Sequence, residues 1–332
     1  MIIDVHGHFT TAPRALVDYH DALLQAHPGS LPNAPRLTDD QIRESVEPAQ
    51  VRVQRERGID LTLLSPRAAG MAHHLGTIRT SIRWARACND AVAHVCQLYP
   101  DRFAGVAQLP QLAGAGVEAA VAELRRCVDE LGFVGANVNP DPSGGDWSGP
   151  VLSDRYWDPL WRELIDLEVP AMLHVSSSSH PSLLTTADYY IGADTTAFVQ
   201  VMFSDLFTRF PMLGLVVPHG GGAVPYQWGR LRAIAGSRGY GELDQALSGN
   251  VYFDTCVYDQ AGIDLLTRVV PATNLLFGSE IYGAARADDP LTGHPFDDTR
   301  FYLERSPHLK PDELDLVYGG NALAVYPRLG VR

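Results

Sequence analysis

The chain has 332 residues, 45% of them hydrophobic and 20% charged, and a formal net charge of −13. So acidic a chain is excluded from phosphate-backbone binding, which relies on Lys and Arg, so no nucleic-acid partner is expected, although local arginines can still hold a small anion. No apolar run reaches the roughly 18 residues that span a bilayer, and no basic segment followed by an apolar one opens the chain; no membrane partner and a cytoplasmic location are expected. The four cysteines, Cys88, Cys96, Cys127 and Cys256, form no C-x-x-C pair, as expected of reduced, buried thiols.

Met1-Ile2-Ile3-Asp4-Val5 predicts a buried strand running into His6-Gly7-His8. Residues i and i+2 of a strand share a side, so His6 and His8 aim two imidazoles at one point while Gly7 lets the backbone pass close by. Residues 9–50 form a polar, Pro-rich insertion, partly helical near 12–26 and 38–46, that reads as a lid or site wall. A helix over 49–57 stops at Gly58 and leads to a second strand over 61–64, followed by Ser65-Pro66-Arg67. The pattern then alternates. Helices over 78–98, 116–131, 156–168, 194–209, 223–235 and 260–269 separate strands over 103–107, 133–137, 170–174, 213–217, 251–254 and 274–278, and a last helix spans 311–318.

Strand–helix alternation implies a parallel sheet, and eight units imply a (β/α)8 TIM barrel, here a single domain over 1–332. A doubly wound open sheet is the other candidate, but no G-x-G-x-x-G follows the first strand. Barrel enzymes work at the C-terminal ends of their strands. Those ends deliver His6 and His8, Asn137 and Asn139, His174, His219 and Glu280, so four of the twelve histidines fall on one face. Three imidazoles and one carboxylate suit zinc with one position left open, and manganese or iron could take the same donors. His219-Gly220-Gly221-Gly222 also fits a hydrolase oxyanion loop, but no G-x-S-x-G elbow accompanies it. His73, His180 and His294 are possible neighbours of the site.

The H-x-H start, Tyr99-Pro100-Asp101-Arg102-Phe103, His174, His219-Gly220-Gly221 and Gly278-Ser279-Glu280 resemble the metal-dependent amidohydrolase superfamily, in the branch that includes aminocarboxymuconate semialdehyde decarboxylase. Most of that branch carries aspartate after the eighth strand, where this chain has Glu280. The first eight residues, the stretch 278–286 and Asp297-Asp298-Thr299-Arg300 are similar to the 4-oxalomesaconate hydratases of the protocatechuate 4,5-cleavage and gallate pathways.

That resemblance implies one Zn2+ per chain held by His6, His8, His174 and Glu280, with His219 nearby. It also implies hydration of a C=C bond in a small anionic tricarboxylate, Tyr190 as the proton donor to carbon, and by analogy a homodimer. Glu280 is then the base, and Tyr189 could stand in for Tyr190. For three carboxylates, Arg67, Arg286 and Arg300 are the candidate guanidinium partners, and Ser65, Asn137, Asn139 and Ser176 the neutral ones. Two alternatives remain: a zinc-dependent decarboxylase of an aromatic or muconate-type acid, and a metal-containing binding protein without catalysis.

Overall fold

The computed structural model describes all residues except 28, 244–246, 248, 284 and 332. Eight parallel strands follow one another in sequence order: β1 Ile3–Phe9, β2 Leu61–Pro66, β3 Phe103–Gln108, β4 Gly135–Val138, β5 Ala171–Leu173, β6 Leu215–Val217, β7 Val251–Asp254 and β8 Leu275–Leu276. Main-chain bonds return from β1 to the segment at and beyond β8. Val5 N–H donates to Phe277 O at 2.9 Å and His8 N–H to Ile281 O at 3.0 Å. The architecture is the (β/α)8 barrel that the alternation implies.

The barrel interior is apolar below and polar at its mouth. Ile3, Val5, Leu63, Val106, Val134, Met172, Val216 and Leu276 fill the lower part, closed by Val325, Tyr326 and Leu329 of the C-terminal segment. Phe9, Leu64, Phe103, Leu173, Val217 and Phe253 belong instead to the larger core shared with the outer helices. Among the described residues no helix is long and apolar enough to cross a membrane, and all four cysteines are buried and form no disulfide.

β1 carries a bulge that decides where the histidines point. Asp4 pairs with Thr62 and Gly7 with Leu64, so β1 spends one residue more than β2 over this stretch. Strict alternation from Ile3 and Val5 would send His6 and His8 outward. The extra residue reverses the parity, and both rings enter the mouth above Val5. Gly7 then faces outward against β2, where an added Cβ would lie 2.2 Å from Thr62 Cγ2 and 3.3 Å from Leu63 O.

The stretch between β1 and β2 packs differently from the expected lid. Helices α1 (Arg14–Gln25) and α2 (Asp39–Val46) lie on the long helix Ile78–Leu98. They bury Leu16, Tyr19, Leu23, Ile42 and Val46 there, because their apolar stripes need a partner face. Of the described residues among 9–50, Thr10 and Thr11 line the site cleft described below. The helix expected over 194–209 begins earlier, at Tyr190, after a π-turn over Thr185–Tyr189, and breaks after Met202. That earlier start carries Tyr190 to the barrel mouth.

Gly7→Ala should destabilise the protein by about 1–3 kcal/mol, the usual cost of forcing a methyl into a packed site, as read from denaturant midpoints. A loss below about 0.5 kcal/mol, within the range of neutral surface changes, would contradict the close approach of β1 and β2.

Candidate metal centre and substrate cleft

Four strand ends converge at the mouth and deliver five side chains. His6 and His8 come from β1, His174 follows β5, His219 follows β6 and Glu280 follows β8, and all five are buried. Donor atoms of His6, His174, His219 and Glu280 lie within 4.8 Å of one another, and His8 Nε2 stands 3.0 Å from His6 Nε2. Ring centroids of neighbouring imidazoles are 4.8 to 5.3 Å apart. His219 and Glu280 both sit at positive φ, 51° and 55°, conformations that non-glycine residues adopt mainly where surrounding structure imposes them.

The hydrogen bonds behind the rings fix their tautomers. His6 Nδ1–H donates to Asp254 Oδ2 at 2.6 Å. His8 Nδ1–H donates to Ser65 Oγ at 2.8 Å, since that hydroxyl spends its own proton on the carbonyls of Gly7 or Pro66. His174 Nδ1–H donates to the carbonyl of Val175 at 2.8 Å. Each Nε2 is therefore directed inward, and His174 Nε2 is buried with no hydrogen-bond partner among the described residues. Facing lone pairs in a dry site repel unless a cation lies between them. The donor set thus fits a divalent metal, and the backing acceptors are the outer partners that ligating histidines use.

Charge separates the ligand-like imidazoles from the fourth one. Burial, then the neighbouring His6, pushes His8 down to about 3, and burial and the other histidines push His174 well below its usual range. Both stay neutral, as a metal ligand must. Burial also opposes charge on His219. The Asp194 carboxylate, 2.9 Å from its Nδ1, and Glu280 outweigh it and hold this imidazole well above its usual value. His219 Nε2 lies 3.8 Å from Glu280 Oε1 and has no hydrogen-bond partner. Burial would raise the Glu280 carboxyl, but His219, His6 and His8 hold it below the ordinary carboxylate range. Its Oε2 accepts Tyr258 O–H at 2.5 Å.

Tyr190 stands over this group, stacked on His219 with centroids 5.2 Å apart and edge-on to His174 at 5.0 Å. Burial, then Glu280, pushes its phenol above the ordinary value, so it remains a proton carrier. Tyr189 is occupied elsewhere, its hydroxyl donating to Asp141 Oδ2 at 2.9 Å. A cleft of about 270 Å³ opens beside Tyr190, lined by His8, Thr10, Arg67, Glu280, Tyr282 and Arg286 among others. Among the described residues no carboxylate pairs with Arg67 or Arg286. The acidic chain therefore concentrates unneutralised positive charge at this cleft.

Several expected substrate contacts lie elsewhere. Ser65 backs His8 and accepts Asn137 Nδ2–H at 3.2 Å. Asn139 Nδ2 bonds Ser176 Oγ at 3.1 Å and His73 Nδ1 at 2.9 Å. These four residues form a buried, mutually hydrogen-bonded layer beneath the converging histidines. Arg300 is held by Glu304 at 2.8 Å and the carbonyl of Arg57 at 2.9 Å, away from the cleft. His73 is likewise structural, bonded to Leu109 O. His180 accepts Ser182 N–H and His294 stacks on Phe301, so neither lines the cleft.

The sequence reading missed Asp254, Asp194 and Tyr258. Asp254 ends β7, so inspecting every strand end would have found it; Asp194 and Tyr258 carry no such signal. Ala284, within the motif 278–286, lies outside the described residues.

A family model described as Amidohydrolase matches residues 3–328. The chain belongs to the amidohydrolase family. This amidohydrolase is 47% identical over 334 residues to the 2-keto-4-carboxy-3-hexenedioate hydratase of Sphingobium sp., covering 100% of this chain and 98% of that one. It is 45% identical to the crystal structure of 4-oxalomesaconate hydratase from Rhodopseudomonas palustris, with a TM-score of 0.90 over 100% of this chain and 97% of that one. The gamma-resorcylate decarboxylase of Rhizobium sp. is 32% identical over 196 residues, 56% of this chain and 59% of that one.

Asp254 also accepts Gly220 N–H at 3.0 Å and Cys256 N–H at 3.1 Å, so one carboxylate ties β1, the His219 turn and β7 together. Asp254→Asn should weaken divalent-metal affinity about 10- to 100-fold, the usual effect of losing an outer partner, in competition with a chelating dye. Unchanged affinity would show that His6 needs no backing acceptor.

Proposed function

We propose that this amidohydrolase is a hydro-lyase that adds water across the C=C bond of 4-oxalomesaconate to give 4-carboxy-4-hydroxy-2-oxoadipate, with zinc as its metal, in protocatechuate 4,5-cleavage and gallate catabolism. Full-length similarity to two hydratases supports the reaction class. The observation that carries the chemistry is on the cleft wall: an ionised carboxylate, Glu280, and a protonated phenol, Tyr190, beside two unpaired guanidiniums.

Hydration needs a base for water and an acid for carbon, acting on one substrate. A divalent ion held by His6, His8, His174 and Glu280 would lower the pKa of water towards neutrality and polarise a substrate oxygen. Glu280 takes the proton of the attacking water while Tyr258 steadies its other oxygen. The new C–O bond forms at the carbon β to the conjugated carboxylate. The π pair moves to the neighbouring carbon, which takes the phenolic proton of Tyr190. One water is added and nothing is oxidised or reduced. His219, pinned by Asp194, bears a proton beside Glu280 and orients the water. Arg67 and Arg286 clamp substrate carboxylates, as planar forks do well, and Thr10, whose buried hydroxyl has no partner, adds a neutral donor.

Zinc-loaded protein should abolish the conjugated ultraviolet band of 4-oxalomesaconate without releasing carbon dioxide. Glu280→Gln and Tyr190→Phe should each lower kcat by about 10²- to 10⁴-fold, the range for one general acid or base. Release of carbon dioxide, or near-full turnover by either variant, would overturn the proposal.

A further inference from the structure

Arg286 reaches the cleft from a loop, with no strand or helix to hold it. No acid of the described residues pairs with its guanidinium, so its position depends on what lies beneath it. That is the Tyr282 ring, whose centroid is 3.8 Å from Arg286 Cζ. A guanidinium over an aromatic face is attracted by the ring quadrupole.

Tyr282 is itself fixed from behind. It is 8% exposed, and its hydroxyl accepts Arg52 Nη2–H at 3.1 Å. Arg52 is in turn pinned by Nη1, 2.8 Å from both oxygens of Glu56. Glu56 neutralises Arg52, so the stack Arg52–Tyr282–Arg286 carries its one uncompensated positive charge at the cleft end. A long side chain held in its binding position loses less freedom when an anion arrives.

We infer that Tyr282 is a positioning residue whose ring is the platform that holds Arg286 ready for a substrate carboxylate. The hydrogen bond from Arg52 anchors the platform to the helix Arg52–Arg57. The inference rests on the polycarboxylate reading of the cleft, but its test does not depend on turnover.

The probe is tricarballylate, a saturated tricarboxylate with no double bond to hydrate, titrated calorimetrically into metal-loaded protein. Tyr282→Phe keeps the ring and should bind within about twofold of wild type. Tyr282→Leu should bind about three- to tenfold more weakly, the span of a partly desolvated cation–π contact. Tyr282→Met carries the same test should leucine destabilise the loop, and melting temperature and metal content establish that each variant is folded. Tyr282→Leu combined with Arg286→Gln should bind no more weakly than Arg286→Gln alone, because the ring acts only through that guanidinium. Wild-type affinity in Tyr282→Leu and Tyr282→Met, multiplying losses in the double variant, or no binding by the wild type would overturn the inference. A protein that shows the expected pattern yet hydrates nothing loses the hydratase proposal and keeps the platform. One that hydrates 4-oxalomesaconate with Tyr282→Leu unaffected in binding loses the platform and keeps the hydratase.

Discussion

Two imidazole nitrogens stand 3.0 Å apart at the barrel mouth, each a lone pair facing the other. Both Nδ1 atoms donate to acceptors behind the rings, Asp254 and Ser65, so both Nε2 atoms face the mouth. Burial denies them water. A divalent cation between them relieves such an arrangement, and much of the surrounding architecture keeps it in place. The β1 bulge turns both rings inward, Gly7 lets β1 sit against Thr62, and Asp254 locks the first ring to β7 and to the His219 turn. The site is assembled at the cost of local strain, seen in the positive φ of His219 and Glu280.

Around that centre the protonation states diverge. His8 and His174 are driven neutral by burial and by one another, while His219 is drawn the other way by Asp194 and Glu280. Pairs of titratable groups pushed apart in this manner mark acid and base roles. Tyr190, stacked on His219, retains its proton within reach of the same cleft. Arg67 and Arg286, which no carboxylate of the described residues pairs, fit the proposed anionic substrate to an acidic chain. Local placement of positive charge outweighs the net charge of −13.

The converging histidines and Glu280 were legible because a barrel converts position at a strand end into position at the mouth. His174 after β5 and His219 after β6 need no further information. The same rule misled for Ser65, Asn137, Asn139 and Ser176. Polar residues at strand ends can either face the substrate or support those that do, and only the hydrogen-bond network separates the two. Arg300 failed for a different reason: its partner Glu304 is one helical turn away, and a local ion pair competes with any role at the cleft. Asp194 and Tyr258 were illegible because each acts on a residue from a different βα unit. The helix that carries Tyr190 and Asp194 starts ahead of its hydrophobic pattern, since the π-turn over Thr185–Tyr189 has no hydrophobic period to announce it.

The central claim is that His6, His8 and His174 present Nε2, and Glu280 its carboxylate, to a single divalent ion. Anomalous diffraction from crystals of the zinc-loaded protein, collected on either side of the zinc absorption edge, tests it most directly. The account predicts one strong peak per chain, about 2.0–2.2 Å from the three Nε2 atoms and a Glu280 oxygen, with Asp254 still bonded to His6 Nδ1. A peak on the Nδ1 side of His6, among Asp254 and Cys256, or no peak at the mouth in a folded, zinc-loaded chain, would contradict it.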